Sequence, residues 1–168
     1  MDRHIFLIGI PGSGKSSLGR KAAATLQLNY LDTDHYLTNV TGMDTAQLYA
    51  TYGEQAFRDA ETRILQMLVT APPGVISTGG GLPLREVNRQ LMKNHGVIVL
   101  IDRPADCIAM NIRAEKRPFL AEQGLEGVER IYEERIPLYR SIADYVMENG
   151  NHYATGLNSL INIMRGLI

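Results

Sequence analysis

One octapeptide, Gly9-Ile10-Pro11-Gly12-Ser13-Gly14-Lys15-Ser16, constrains the fold more than any other part of the chain. It has the form G-x-x-x-x-G-K-[ST], follows the apolar run Ile5-Phe6-Leu7-Ile8, and precedes a stretch, Ser17 to Leu28, that reads as a helix. Strand, glycine-rich turn and helix, in that order, are the context in which such a loop holds phosphate. The glycines let backbone N–H groups close around phosphate oxygens, and the helix N-terminus adds the positive end of its dipole. Gly12, Ser13, Gly14, Lys15, Ser16 and Ser17 are therefore the expected phosphate contacts of a nucleoside triphosphate. Lys15 is expected to reach the β- and γ-phosphates, and the Ser16 hydroxyl to ligate Mg²⁺. The competing reading is a glycine-rich turn that happens to carry a lysine.

The rest of the chain alternates apolar β-type runs with helical stretches. Strands are expected at residues 3–9, at 29–32 ending on Asp32, at 74–78, at 96–101 and at 145–147, with helices over 16–28, 54–70, 84–94, 104–114, 125–140 and 156–167. Several of the strands are short, near-continuous apolar runs, as parallel strands covered on both faces require. Alternation of this kind implies an α/β domain with a parallel sheet, whose ligands sit at the carboxyl ends of the strands. Two segments fit less well. Residues 33–60 carry more helix than a simple crossover needs. Residues 115–124 are charged, weakly periodic and punctuated by Pro118 and Gly124, which suits a polar lid that closes to exclude water.

The 168 residues, 45% of them hydrophobic, suffice for one domain with a substantial core. Seventeen basic and eighteen acidic residues leave a formal charge of −1, so no overall field favours nucleic acid or an anionic membrane. Cys107 is the only cysteine, which excludes an internal disulfide and a multi-cysteine zinc site. No segment approaches the roughly 18 apolar residues of a membrane span, and the N-terminal apolar run lacks a cleavage signal, so a cytoplasmic location is expected.

Asp32-Thr33-Asp34 falls where the second strand ends. One acid there can hold the Mg²⁺ shell through water, and the other can accept a substrate hydroxyl proton; the plain alternative is a turn or helix cap. Arg58 has Glu54 four residues before it and Glu61 three after, so local spacing leaves its role open between an exposed ion pair and a ligand contact. Gly79-Gly80-Gly81 costs backbone entropy that a mere connection does not justify, and suits a backbone that must approach a ligand closely rather than a hinge. Arg113, Lys116 and Arg117 bring positive charge to the expected lid, where an arginine can stabilise the transferring oxygens. Arg135 has Ile131, Tyr132, Leu138 and Tyr139 as helical neighbours, none acidic, which leaves it either solvated or aimed at a ligand carboxylate.

This ordered set resembles shikimate kinase, a small group within the P-loop nucleoside monophosphate kinase-like family. The matching segments are Gly9 to Ser17, Leu31-Asp32-Thr33-Asp34, Gly53-Glu54 with Phe57-Arg58, Ser77-Thr78-Gly79-Gly80-Gly81, Arg117-Pro118-Phe119-Leu120, and Arg135 with Pro137-Leu138-Tyr139. The resemblance implies a three-layer α/β/α fold on a five-stranded parallel sheet of order 2-3-1-4-5, a substrate-binding region over about 33–61, and a lid over about 112–124. It implies ATP and shikimate as ligands, phosphoryl transfer to the 3-hydroxyl of shikimate, and action as a monomer. Asp34 would be the base, Arg58 and Arg135 would clamp the carboxylate, and Gly79–Gly81 would line the same pocket. Lys15 and Arg117 would stabilise phosphate charge, Arg113 would bind ATP in place of an adenine-stacking arginine, and Ser16 and Asp32 would organise Mg²⁺. The chain departs from the family pattern at Pro11, at Met110, where some members carry an arginine, and at Phe119. Competing expectations are another small-molecule kinase of this fold, acting on gluconate or a nucleoside monophosphate, and a nucleotide-binding regulatory module without catalysis.

Overall fold

The computed structural model describes residues 2–110, 118–150 and 152–168. Its sheet grows outward from β1 (His4–Ile8), whose five residues are all buried. Parallel partners flank β1 on both edges: β3 (Val75–Ser77) and β4 (Gly96–Asp102). The outer strands are β2 (Tyr30–Asp32), paired with β3, and β5 (Tyr145–Glu148), paired with β4, all parallel. The order is β2-β3-β1-β4-β5, as the resemblance implies.

The alternation of side chains along the strands creates two cores. Phe6, Ile8, Ile76, Ile98 and Leu100 face one way, where they pack with residues of α2 (Thr33–Thr41), α3 (Thr45–Leu68), α4 (Glu86–His95), α5 (Ala105–Met110) and α6 (Pro118–Ile142). Ile5, Leu7, Val75, Val99 and Ile101 face the other way, against α1 (Lys15–Thr25) and α7 (Tyr153–Arg165). Two-sided burial is the reason the strands read as unbroken apolar runs rather than as alternating ones. At about 25 cal/mol per Å² of apolar surface, this layer dominates the stability of the chain.

Several boundaries differ from those the sequence suggests. The first helix stops at Thr25 rather than running to residue 28. Gln27 adopts a left-handed φ of 56°, and the N–H groups of Gln27 and Leu28 turn back to the carbonyls of Ala24 and Ala23. That pattern is a Schellman termination, which frees Asn29 to enter β2. The fourth helix begins at Glu86, after a 3₁₀ turn over Leu82–Leu84. Gly53 breaks α3 with φ 80° and ψ 174°, so a second helical segment starts at Glu54 as expected. The excess between the second and third strands is α2 together with the first part of α3. Of the expected polar lid, the backbone from Pro118 onward is already helical, with a break at Gly124 (φ 63°), because these residues join the long helix that carries Arg135. Arg113, Lys116 and Arg117 lie outside the described residues.

Candidate active site

The loop from Gly9 to Gly14 links the central strand to α1. Gly14 caps the helix at φ 96°, a left-handed conformation that glycine adopts without strain, and no side chain caps this end. The first turn carries no acidic residue to offset the positive dipole end of α1. Lys15 is buried, and its ammonium donates to the carbonyls of Gly9 at 2.8 Å and Ile10 at 3.0 Å, with Ser13 Oγ at 3.4 Å. The expected phosphate-reaching lysine thus lies folded onto its own loop.

Ser16, the second residue of α1, donates its hydroxyl to Asp32 Oδ2 at 2.7 Å, and Ser77 Oγ lies 3.4 Å from it. The other oxygen of Asp32 accepts the N–H groups of Asp34 at 3.1 Å and His35 at 3.2 Å. One oxygen of this acid thus caps α2 while its twin faces the phosphate loop. Tyr30, which sequence reasoning missed, places its hydroxyl 3.1 Å from that second oxygen and 3.2 Å from the Ser16 carbonyl. Burial, reinforced by the Asp32 charge, pushes the Tyr30 phenol up to about 12, so it stays a neutral donor. A hydroxyl and a carboxylate in contact are an oxygen-only donor pair, which suits a hard cation such as Mg²⁺ that takes the rest of its shell from water and phosphate.

The three glycines after β3 form a strip against which the remaining candidates converge. A methyl group on Gly79 would fall 2.6 Å from Asp34 Oδ1 and 3.0 Å from Glu61 Oε1. One on Gly81 would collide with the Arg58 guanidinium, and one on Gly80 would lie 2.5 Å from Pro11 Cδ. Each glycine thus makes room for a different neighbour: an acid, the phosphate loop, and a base. The Gly79 N–H is itself tied back to α2, donating to Thr33 Oγ1 at 2.8 Å. The Gly80 carbonyl accepts the Tyr139 hydroxyl at 2.5 Å and Arg135 Nη1 at 3.4 Å.

Arg58 makes both ion pairs that its spacing allows, to Glu61 at 2.7 Å and to Glu54 at 3.7 Å. The two differ in kind. Glu54 is exposed, whereas Glu61 is only 3% exposed, so the Glu61 pair holds the guanidinium rather than decorating a surface. Burial raises the Glu61 carboxyl above its usual range; Arg58 opposes that shift and the Asp34 charge adds to it. Glu61 and Tyr139 were not singled out as site residues in the sequence, and burial also lifts the Tyr139 phenol to about 12. Arg135 is half-buried and forms no ion pair among the described residues, in keeping with the absence of acidic helical neighbours. A cleft of about 430 Å³ lined by Glu54, Gln55, Arg58, Leu84 and Arg85 shares Arg58 with the strip.

A central parallel strand feeding a glycine-rich loop and helix, with an acid and two arginines set against a glycine strip that abuts that loop, defines a P-loop phosphotransferase of small molecules. The family model for shikimate kinase matches residues 11–164. A shikimate kinase of Clostridium beijerinckii is 34% identical over 164 residues, covering 98% of this chain and 96% of the relative. One from Neisseria meningitidis serogroup C is 37% identical over 149 residues, 88% of each chain. The solved structure of shikimate kinase from Acinetobacter baumannii, in complex with shikimate, superposes with a TM-score of 0.88 at 30% identity, over 98% of this chain and 92% of that one. The chain belongs to the shikimate kinase family.

Proposed function

We propose that this chain performs its family's reaction, ATP-dependent phosphorylation of shikimate, with the loop at residues 9–16 holding ATP and the Gly79–Gly81 strip holding the acceptor. The observation that carries this assignment is the convergence of Asp34, Arg58 and Arg135 on successive glycines of a strip whose middle residue touches the phosphate loop through Pro11. A small acid with several hydroxyls needs both a cationic clamp and a nearby base, and the strip supplies them within one or two side chains of the phosphate site. The structural relative that holds shikimate adds support.

Arg58 and Arg135 bind the substrate carboxylate, which anchors the ring and turns a hydroxyl toward ATP. Glu61 keeps Arg58 aimed inward, and Tyr139 holds the Gly80 carbonyl. Asp34 accepts the proton of the 3-hydroxyl as its oxygen attacks the γ-phosphorus, the bond from that phosphorus to the β–γ bridging oxygen breaks, and ADP leaves. The N–H groups of Gly12, Ser13 and Gly14, the hydroxyls of Ser16 and Ser17, and the Lys15 ammonium hold the phosphates. Lys15 exchanges its loop carbonyls for phosphate oxygens when the nucleotide enters. Arg117 would add positive charge at the phosphates and Arg113 would contact the nucleotide, from a lid over about 112–124, and residues 33–61 form the substrate-binding region. Ser16, and Asp32 through water, would hold Mg²⁺, which would neutralise charge on the phosphate oxygens.

We assign the enzyme to the cytoplasm as a monomer that acts on small molecules rather than nucleic acid; no described helix is long and apolar enough to cross a membrane. A coupled ADP-release assay with shikimate, gluconate, AMP and CMP offered separately tests the assignment. ADP should form only with shikimate. A folded sample that binds ATP yet shows no shikimate-dependent turnover would overturn it.

A further inference from the structure

Asn149 lies just past β5, is 5% exposed, and reaches the phosphate loop from the far end of the chain. Its Nδ2 donates to the Ser13 carbonyl at 2.8 Å, across 136 residues of sequence. Two glycines accommodate this amide. A methyl group on Gly14 would stand 3.0 Å from Nδ2, and one on Gly156, in the first turns of α7, would overlap Oδ1. The Asn149 backbone N–H donates to the Asp102 carbonyl at 2.7 Å, so the residue is pinned at the ends of β4 and β5 as well. A planar trans peptide points its C=O and its N–H to opposite sides. Tying the Ser13 carbonyl to Asn149 therefore turns the Gly14 N–H to the opposite side of the loop. Gly14 is also the helix cap, the position from which an anion receives both a hydrogen bond and the helix dipole.

We propose that Asn149 is a positioning residue for the nucleotide: it locks the Ser13–Gly14 peptide in the orientation that presents the Gly14 N–H to a phosphate of a nucleoside triphosphate. The proposal rests on residues 9–16 being the ATP site. Asn149 touches no reacting atom. Its bond replaces the freedom of a glycine-flanked peptide with one orientation before ATP arrives, so its loss falls on nucleotide affinity and spares the acceptor pocket.

The test is steady-state kinetics with ATP and shikimate varied separately, together with calorimetric ADP binding, on the full chain and on Asn149→Ala and Asn149→Asp. Asn149→Ala should raise KM for ATP and Kd for ADP about tenfold, the value of one buried hydrogen bond, with KM for shikimate within about twofold of the parent. Asn149→Asp keeps the shape but sets an oxygen against the Ser13 carbonyl, so its loss of nucleotide affinity should exceed that of Asn149→Ala. Parallel increases in both KM values, an unchanged KM for ATP in both variants, or an aspartate that outperforms the alanine would each overturn the proposal. Lys15→Ala, measured alongside, separates the two levels. If it binds ADP as the parent does, the nucleotide-site assignment itself fails, whatever Asn149 does.

Discussion

Gly80→Ala should cripple the enzyme while leaving it folded, because the new methyl group has nowhere to go. It would stand 2.5 Å from Pro11 Cδ, 2.6 Å from Pro11 Cγ and 2.8 Å from the Pro11 nitrogen. Unstrained carbon contacts are about 3.5–4.0 Å, so the overlap is about 1 Å. Neither side yields easily. The proline ring is locked to its own backbone, and the Gly80 carbonyl is held by Tyr139 and Arg135. The strip and the phosphate loop must therefore part by about the overlap distance. Overpacking of this kind costs about 1–3 kcal/mol of stability, and a misplacement of about 1 Å between reacting groups costs about 100-fold in kcat. Melting temperature, kcat and both KM values should be measured for Gly80→Ala, Pro11→Ala and the double variant. Removing the proline Cγ and Cδ removes the two shortest of these contacts, so the double variant should regain about tenfold in kcat over Gly80→Ala. Native kinetics in Gly80→Ala, or strictly additive effects in the double variant, would refute the reasoning.

Asp34→Asn should lower kcat by about 10²–10⁴-fold while ATP binding measured by calorimetry stays nearly intact, and parental activity would remove Asp34 from the base role. Arg58→Ala should raise KM for shikimate about 10–100-fold, the loss of a charge-assisted contact. It should also destabilise the fold by leaving Glu61 buried without its partner. Adding Glu61→Gln should then recover melting temperature but not shikimate affinity, and recovery of both would show that Arg58 acts only structurally. Because burial raises the Glu61 carboxyl above 4.5, the native state binds more protons than the unfolded chain between 4.5 and the raised value. The Glu61 contribution is thus most favourable below 4.5, and stability falls as pH rises through that interval. Denaturant midpoints from about pH 4 to 8 should show this fall in the parent and a flatter profile in Glu61→Gln; identical profiles would contradict it.

Much of the architecture is legible along the chain because it depends on short-range pattern. Ile5-Phe6-Leu7-Ile8 is apolar at every position, which only a strand covered on both faces demands, and it occupies the sheet centre. The break at Gly53 and the restart at Glu54 are equally local. The termination at Thr25 was not legible, since Gln27 takes a left-handed conformation that its side chain does not advertise. Within the site, Ser16, Asp32 and the three glycines announce themselves by type and spacing. Arg58 does not, because Glu54 and Glu61 look alike in sequence and only burial distinguishes the pair that matters.

The sequence by itself determined the class of chemistry. A loop of fixed spacing between a strand and a helix binds phosphate because its N–H groups and its dipole are set within some ten consecutive residues. The tertiary structure decided how that loop is held and what faces it. Pro11 meets Gly80, Tyr139 meets the same glycine, and Asn149 meets Ser13 only after β1, β3, β4 and β5 have paired and carried these residues to one edge of the sheet. Contacts spanning 59 to 136 residues leave no periodic or compositional trace, because their geometry resides in the packing of the strands and not in any one segment.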